Sequence, residues 1–280
     1  MTFNDILYDV QDKIATITLN RPDKLNAARP ETQVEIRSAL DEADNDESVR
    51  VVICTGAGRA FCSGTDISGG FIKRSRGNSE TGEGVSPDLG GPTALRVYGM
   101  QKPVIAAING PAVGFGASFT LPMDYRIAST SAKFSFPFAR RGISAESCSS
   151  WFLPRLVGID QALNWMLSGR TFSAEEALAK GLVSELTAPE TLLQRAREIA
   201  CEIAVHTAPA SIAVNRQLLW RMLGADHPKI AHDLESRAVA AGISMPDSEE
   251  GTLSFKEKRL PRFTGTTRDA AYVKAWWKDT

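Results

Sequence analysis

The sequence contains little of the chemistry that metal sites and disulfide frameworks require. It has four cysteines in 280 residues. They lie far apart and form no Cys-x-x-Cys pair, which argues against both a disulfide framework and a zinc site. We therefore expect no metal, and we expect reduced thiols in the protein core. The four residues are Cys54, Cys62, Cys148 and Cys201.

Histidine is also scarce. His206, His227 and His232 all lie near the C-terminal end, and no Gly-x-Ser-x-Gly motif accompanies them. Nucleophilic serine chemistry needs a base beside the serine, so we do not expect a Ser/His triad. We expect these histidines at the surface or at an interface.

Charge of either sign is not in excess, and no long apolar run is present. The net charge is −1 and the sequence pI is about 6.3, which gives no field for nucleic acid or an anionic membrane. The most apolar stretch, 103–123, is interrupted by Asn-Gly-Pro at 109–111. The sequence thus predicts neither a signal peptide nor a membrane span, and indicates a cytoplasmic protein.

The first half of the chain alternates between two kinds of periodicity. Residues 14–20, 49–55 and 104–109 are the apolar runs typical of strands, whereas 31–44 has helical spacing. Strand, helix and strand in this order predict βαβ crossovers and a largely parallel sheet. The fold class is predicted to be α/β.

The C-terminal part has a different character. Residues 190–204 and 209–243 are rich in Ala, Leu, Glu and Arg at helical spacing, with Pro209 as a helix start. We predict an α/β core over 1–190 and a helical region over 191–280. Its apolar residues exceed what the core need accept, which favours packing on a neighbouring subunit. They include Ile199, Ile203, Ile212, Leu218, Leu219 and Trp220.

One stretch of the core lacks the residues needed to pack. Residues 68–92 are rich in glycine, serine and charge, with Phe71 as the single aromatic residue. So long a segment without apolar periodicity predicts a mobile loop that acts as a lid or a binding edge. A surface insertion without a role is the alternative.

Two glycine-containing turns follow two of the predicted strands, at 56–67 and at 109–116. Free N–H groups at such turns and at helix starts attract negative charge, so one N–H from each turn could converge on an oxyanion. The first turn also matches half of a dinucleotide fingerprint. Phe61 stands at the third small position, however, which makes a nicotinamide site a weak interpretation.

Three carboxylates are embedded in apolar or small-residue sequence: Asp66, Asp124 and Glu146. Such a group either accepts hydrogen bonds from the backbone or acts as a general base. We expect Asp66 to orient the first turn and Asp124 to be structural. Glu146 lies in a small-residue loop that opens a helix, so its carboxylate can project into a cleft as a base, with helix capping as the alternative.

Together these segments resemble the crotonase (enoyl-CoA hydratase/isomerase) superfamily over nearly the whole chain. The resemblance implies a crotonase-like spiral of ββα units and a helical C-terminal trimerisation region that builds homotrimers or homohexamers. It also implies an acyl-CoA thioester substrate and no separate cofactor. The matching segments are 19–27, 59–67, 103–116, 124–129, 172–183 and 251–259.

The resemblance assigns roles by position. The two oxyanion N–H donors fall on Thr65 and on Phe115, which replaces a usual glycine. We expect Lys24 and Lys258, the latter from the same or an adjacent subunit, to be the cations that bind the CoA phosphates, with two solvated surface lysines as the alternative. The implied substrate-binding residues are Lys24, Ala27, Ala60, Cys62, Gly64, Thr65, Asp66, Ile67, Gly114, Gly116, Phe138, Phe255 and Lys258.

The chain departs from the hydratase pattern at the two glutamates that activate water, where it has Ser118 and Phe138. Neither is an effective proton-transfer group near neutral pH. The stretch 141–151 instead resembles the peroxisomal-type Δ3,Δ2-enoyl-CoA isomerases, whose single catalytic glutamate falls on Glu146. Isomerisation is therefore the implied reaction. Hydration or another crotonase-type lyase reaction, and a non-catalytic acyl-CoA-binding role, are the alternatives.

Overall fold

The structure is a computed structural model, and it describes residues 2–68 and 87–277. Most of the predicted mobile loop, 68–92, lies outside the described residues. The described strands are β1 Ile6–Gln11, β2 Ile14–Leu19, β3 Val51–Gly56, β4 Val104–Ile108, β5 Ala112–Val113, β6 Tyr125–Ser129, β7 Lys133–Ser135, β8 Thr171–Ser173 and β9 Glu185–Thr187.

The described α-helices follow the alternation predicted for the core and then occur in succession. They are α1 Pro30–Asn45, α2 Gly91–Tyr98, α3 Phe115–Ser118, α4 Ser149–Val157, α5 Ile159–Ser168, α6 Ala174–Ala179, α7 Leu192–His206, α8 Pro209–Met222, α9 Pro228–Ile243 and α10 Pro246–Glu257. A 3-10 segment, Thr267–Trp276, comes after α10.

The main sheet has the order β1-β2-β3-β4-β6-β9. From β2 to β9 every pairing is parallel, whereas β1 pairs antiparallel with β2. A smaller sheet has the order β5-β7-β8. The predicted α/β class with a largely parallel sheet is confirmed. Strand β1 was not predicted, because only Ile6 is fully buried in it and the apolar alternation is weak.

Both faces of the main sheet are covered, as parallel sheets require. Alternate residues of β3 point to opposite sides: Val51 and Ile53 pack against α7, and Val52 and Cys54 join the larger core cluster on the other side. Small residues of α7 at four-residue spacing let the helix lie close to the strands. They are Ala196, Ala200 and Ala204.

Helix α8 is tied to the core through a buried ion pair. Arg216 Nε donates to Asp124 Oδ2 at 2.8 Å, and Arg216 Nη2 donates to the Val97 carbonyl at 2.8 Å. Trp220 Nε1 donates to Asp124 Oδ1 at 2.8 Å, and the same carboxylate accepts the Val104 N–H. The structural role predicted for Asp124 is confirmed by these contacts.

The stretch with helical spacing over 209–243 forms two helices, because the chain turns at Gly224 and Pro228 starts α9. The prediction that the cysteines lie in the core is wrong for one of them. Cys201 is exposed rather than in the core, since α7 buries its alanine face and turns the cysteine outward. Cys148 is only half-buried.

Much of the apolar surface expected at a subunit interface is used inside the chain. Ile199 and Ile203 pack on the sheet, Leu218 is buried, and Trp220 packs edge-on against Phe152. Leu219, by contrast, is 74% exposed. The predicted boundary between 190 and 191 stays a prediction, although the described residues after β9 form helices and irregular segments.

Candidate active site

The turns that follow β3 and β4 meet at one edge of the sheet, because these strands are parallel neighbours. Cys62 N–H donates to the Pro111 carbonyl at 3.0 Å, and Val113 N–H donates to the Cys62 carbonyl at 3.0 Å. A Cβ on Gly116 would lie 2.1 Å from the Cys62 carbonyl oxygen. Only glycine permits this approach, so the two turns form one packed unit.

The first turn is also bonded on its other side. Ala28 N–H donates to the Gly64 carbonyl, and Asp66 N–H donates to the Ala28 carbonyl, both at 2.8 Å. Arg21 Nη1 contacts Asp66 Oδ2 at 3.1 Å and also donates to the Ala27 carbonyl. Hydrogen bonds from Ser68, together with Arg21, lower the pKa of Asp66 to about 2. These contacts support the predicted role of Asp66 in orienting the turn.

The amide groups of Thr65 and Phe115 lie on this unit. Neither N–H donates a hydrogen bond to any residue that the structure describes. Phe115 is the first residue of α3, where amides have no partner within the helix. The positive φ angle, 53°, falls on Gly114, so phenylalanine is accommodated without backbone strain at position 115. The Phe115 ring is buried and stacks on the Phe119 ring, with 5.4 Å between the ring centroids.

Two asparagines that sequence reasoning did not single out fix the start of the first turn. Asn26 Nδ2 donates to the Ala60 carbonyl at 2.8 Å, and Asn109 Nδ2 donates to the Gly58 carbonyl at 2.9 Å. Asn109 Oδ1 in turn accepts the Gly56 N–H. Both asparagines lie in segments that carried the family resemblance, which was the available signal, but their partners are more than 30 residues away.

Glu146 lies in the loop between the 3-10 turn Ala139–Arg141 and α4, and it is half-buried. Its carbonyl accepts the Ser149 N–H at 3.0 Å and the Ser149 hydroxyl at 2.6 Å. The next two residues, Ser147 and Cys148, have left-handed φ angles of 57° and 55°. The backbone that carries the carboxylate is thus fixed to the first turn of α4.

The family to which the chain belongs is shown by the similarity of its sequence to known proteins. Residues 9–266 match the family described as enoyl-CoA hydratase/isomerase. The chain belongs to the enoyl-CoA hydratase/isomerase family. The described part has the mixed α/β core of crotonase-fold proteins and a helical C-terminal region.

Relatives of this hydratase/isomerase family member span almost its whole length. It is 42% identical over 261 residues to enoyl-CoA hydratase ACTT3 of Alternaria alternata, covering 92% of this chain and 85% of that protein. It is 33% identical to 1,2-epoxyphenylacetyl-CoA isomerase of Escherichia coli K12, and the match covers 93% of this chain and 98% of that protein. The crystal structure of an enoyl-CoA hydratase from Bacillus anthracis superposes with a TM-score of 0.84 at 32% identity, covering 94% and 100%. The protein is therefore an enzyme of this kind.

Ser118 and Phe138, the residues to which the family resemblance assigns the positions of the two hydratase glutamates, are both buried. The Ser118 hydroxyl has no hydrogen-bond partner among the described residues. Phe138 is 4% exposed and precedes the turn that leads to the Glu146 loop. Neither position therefore supplies a carboxylate in addition to that of Glu146.

The predicted substrate-binding residues fall into two groups. Those near the turn unit are brought together: the Lys24 carbonyl accepts the Ser63 hydroxyl at 3.4 Å, and the Lys24 side chain is exposed. Ala60, Cys62, Gly64, Gly114 and Gly116 are buried, Ala27 and Asp66 are half-buried, and Ile67 is 50% exposed.

Phe255 and Lys258 form the second group, at the end of α10. Phe255 is 85% exposed, and Lys258 is exposed at the C-terminal cap of the helix. Within the described residues neither side chain forms a hydrogen bond or ion pair with the turn unit. The predicted role of Phe255 and Lys258 in binding the substrate stays a prediction.

Enzymes of this family act on CoA thioesters without an additional cofactor. Within 2–68 and 87–277, no cluster of three His, Cys, Asp or Glu residues could hold a metal ion. The three histidines are exposed, as expected. Among the described helices, none is both long and apolar enough to cross a membrane.

Proposed function

We propose that this enzyme moves a double bond in an enoyl-CoA thioester, from the 3,4 to the 2,3 position. The N–H groups of Thr65 and Phe115 stabilise the negative charge that develops on the thioester oxygen. Glu146 removes a proton from C2 and returns a proton to C4 of the resulting dienolate. The two steps balance in protons, so one carboxylate is enough.

The carrying observation is a pair of amides, without a hydrogen-bond acceptor among the described residues, on two turns that pack directly against each other. An amide without a protein partner is ready to donate to the substrate, and only main-chain groups are required. The side chains of Thr65 and Phe115 are therefore acceptable at these positions. Because Phe115 is buried, the donor on its residue acts in a region of low dielectric, where such hydrogen bonds are strong.

The carboxylate count supports isomerisation over hydration. Hydration needs a water held and activated by acid and base groups, and the matching positions hold a serine and a phenylalanine. Glu146 remains as the proposed base. Its loop is held by the hydrogen bonds that Ser149, the first residue of α4, donates to the Glu146 carbonyl. A non-catalytic acyl-CoA-binding role would not need a carboxylate there.

Hydration of 2-enoyl-CoA, or another lyase reaction of the family, is the second candidate. It is favoured by the name of the 42% identical relative, an enoyl-CoA hydratase. It is also favoured by the buried Ser118 hydroxyl, which has no partner among the described residues and could hold a water.

Purified enzyme assayed with 3-enoyl-CoA and with 2-enoyl-CoA of several chain lengths tests the proposal. We expect turnover of 3-enoyl-CoA to exceed hydration of 2-enoyl-CoA at every chain length. Faster hydration would replace the proposal with the second candidate. Binding of acyl-CoA without turnover of either substrate would indicate the non-catalytic role.

We further propose a homotrimer or homohexamer as the working assembly. Helix α9 has no buried residue in the single chain, and Ile230, Val239 and Ile243 on it are 43%, 59% and 69% exposed. Such a surface favours contact with another subunit. This assembly would also let Lys258 serve the site of a neighbour, where it would bind the CoA phosphates with Lys24.

A further inference from the structure

One carboxylate oxygen connects two segments that reach the site from different parts of the chain. Asp88 Oδ1 accepts the N–H of Gly91 at 2.7 Å, of Ser147 at 3.0 Å and of Gly90 at 3.1 Å. The first and third bonds join Asp88 to Gly91, the first residue of α2, and to Gly90, its N-cap residue. The bond to Ser147, which lies 59 residues after Asp88, is not part of the start of α2.

The Ser147 amide belongs to the residue that directly follows Glu146. Ser147 and Cys148 adopt left-handed φ angles, which residues other than glycine rarely adopt. Such a conformation persists only where neighbouring groups hold it. The Ser149 bonds to the Glu146 carbonyl hold the loop on the side of α4. Asp88 holds it on the side of α2.

Gly90 lies against both the base loop and the residue on the oxyanion side. A Cβ on Gly90 would lie 1.9 Å from the Ser147 hydroxyl oxygen and 2.9 Å from Cδ2 of Phe115. Residue 90 is thus enclosed between the residue after the proposed base and the residue that carries a proposed oxyanion donor. A displacement of the loop changes the distance between these two groups.

We propose that Asp88 is a positioning residue: through the Ser147 N–H, it sets the position of the Glu146 carboxylate relative to the Phe115 amide. The inference rests on the proposed role of Glu146 as the base. Asp88 exchanges no proton with the substrate. Its contribution is orientation, to which proton transfer is sensitive, because a misplacement of about 1 Å can lower turnover by about 100-fold.

Asp88→Ala and Asp88→Asn test this role in the full-length enzyme. Asn keeps an acceptor oxygen for the three amides, whereas Ala removes it. We expect kcat for isomerisation to fall by about 30- to 100-fold in Asp88→Ala, with KM within about twofold, and to stay within about threefold of wild type in Asp88→Asn. Asp46→Ala is the matched control, since Asp46 Oδ1 accepts the Ser48 N–H at 2.8 Å beyond the end of α1.

A double-variant cycle shows whether Asp88 acts through Glu146. In the Glu146→Gln background, we expect Asp88→Ala to add less than about twofold to the loss, since the group it positions no longer transfers protons. An equal loss in both backgrounds would overturn the proposal. So would a wild-type kcat in Asp88→Ala, or a loss that Asp88→Asn does not rescue.

Hydrogen exchange of the peptide containing residues 142–150 separates this proposal from the assignment of the base. We expect faster exchange in Asp88→Ala and near-normal exchange in Asp88→Asn and in Glu146→Gln. Unchanged exchange in Asp88→Ala overturns the positioning role even if Glu146 is the base. Faster exchange combined with an active Glu146→Gln enzyme would instead show that Asp88 holds the loop but that the proposed base is wrong, which also ends the proposal in its present form.

Discussion

Residues 62–66 and 112–116 contribute main-chain N–H groups to the proposed site, whereas residues 142–148 contribute one side chain. The first two segments are bonded to each other through Cys62, and residues 62–66 are also bonded to Ala28. The loop of Glu146 is held by a few contacts at its end, to Asp88 and to the start of α4. The oxyanion side therefore tolerates unusual residues such as Phe115, while the base side depends on a single residue identity and on its position.

The largest effect is expected from the base side. Glu146→Gln keeps the size and hydrogen-bonding capacity of the side chain but removes the base, so kcat for isomerisation should fall by about 10² to 10⁴. The melting temperature should change little. Steady-state kinetics and calorimetry measure both, with the exposed Glu202→Gln on α7 as the control. Activity within a few-fold of wild type would show that another group transfers the proton.

A smaller effect is expected on the oxyanion side. Arg21→Met removes the contacts with Asp66 and with the Ala27 carbonyl while keeping most of the side-chain volume. The turn stays bonded to Ala28, so we expect kcat to fall by about tenfold rather than by the factor for Glu146. Arg195→Met on α7, which removes an ion pair with Glu185, is the control. A loss as large as that of Glu146→Gln would show that the turn depends on this one side chain, contrary to the comparison.

The sequence predicts the two sides of the site to different extents. Apolar runs identified β3 and β4, and the glycine-containing turns after them predicted the oxyanion side. Both signals are local in the sequence. The carboxylate of Glu146 was singled out by its small-residue surroundings. The contacts of Arg21 with Asp66 and of Asp88 with Ser147 span 45 and 59 residues, and no local pattern encodes them.

The helical region shows the same limit. Helical periodicity predicted α7 and α8 but not which of their apolar residues the chain itself would bury. Ile199 and Leu218 pack internally, whereas the most exposed apolar surface lies partly on α9. The assembly state, the boundary at 190 and the cytoplasmic location stay predictions.

The two lysines should affect substrate affinity rather than the chemical step. The proposed contact of Lys24 and Lys258 with the CoA phosphates would be made equally in the ground and transition states. On charge reversal of either lysine we therefore expect KM to rise by about three- to tenfold with kcat unchanged. The effect should be larger at low salt. Lys180→Glu is the control. If light scattering shows a stable monomer, Lys258→Glu should be silent while Lys24→Glu is not; an unchanged KM in both would remove these lysines from the site.

The smallest effect is expected from Ser118→Ala. The hydroxyl is buried and has no partner among the described residues, and it replaces one of the glutamates of the hydratase pattern. Removing it leaves both oxyanion donors and Glu146 in place, so kcat for isomerisation should stay within about twofold, and stability should be equal or slightly higher because an unsatisfied buried polar atom is lost. Hydration of 2-enoyl-CoA, measured on the same enzyme, provides the contrast. A selective loss of hydration would show that Ser118 holds a water, and the base side would then include a second group besides Glu146.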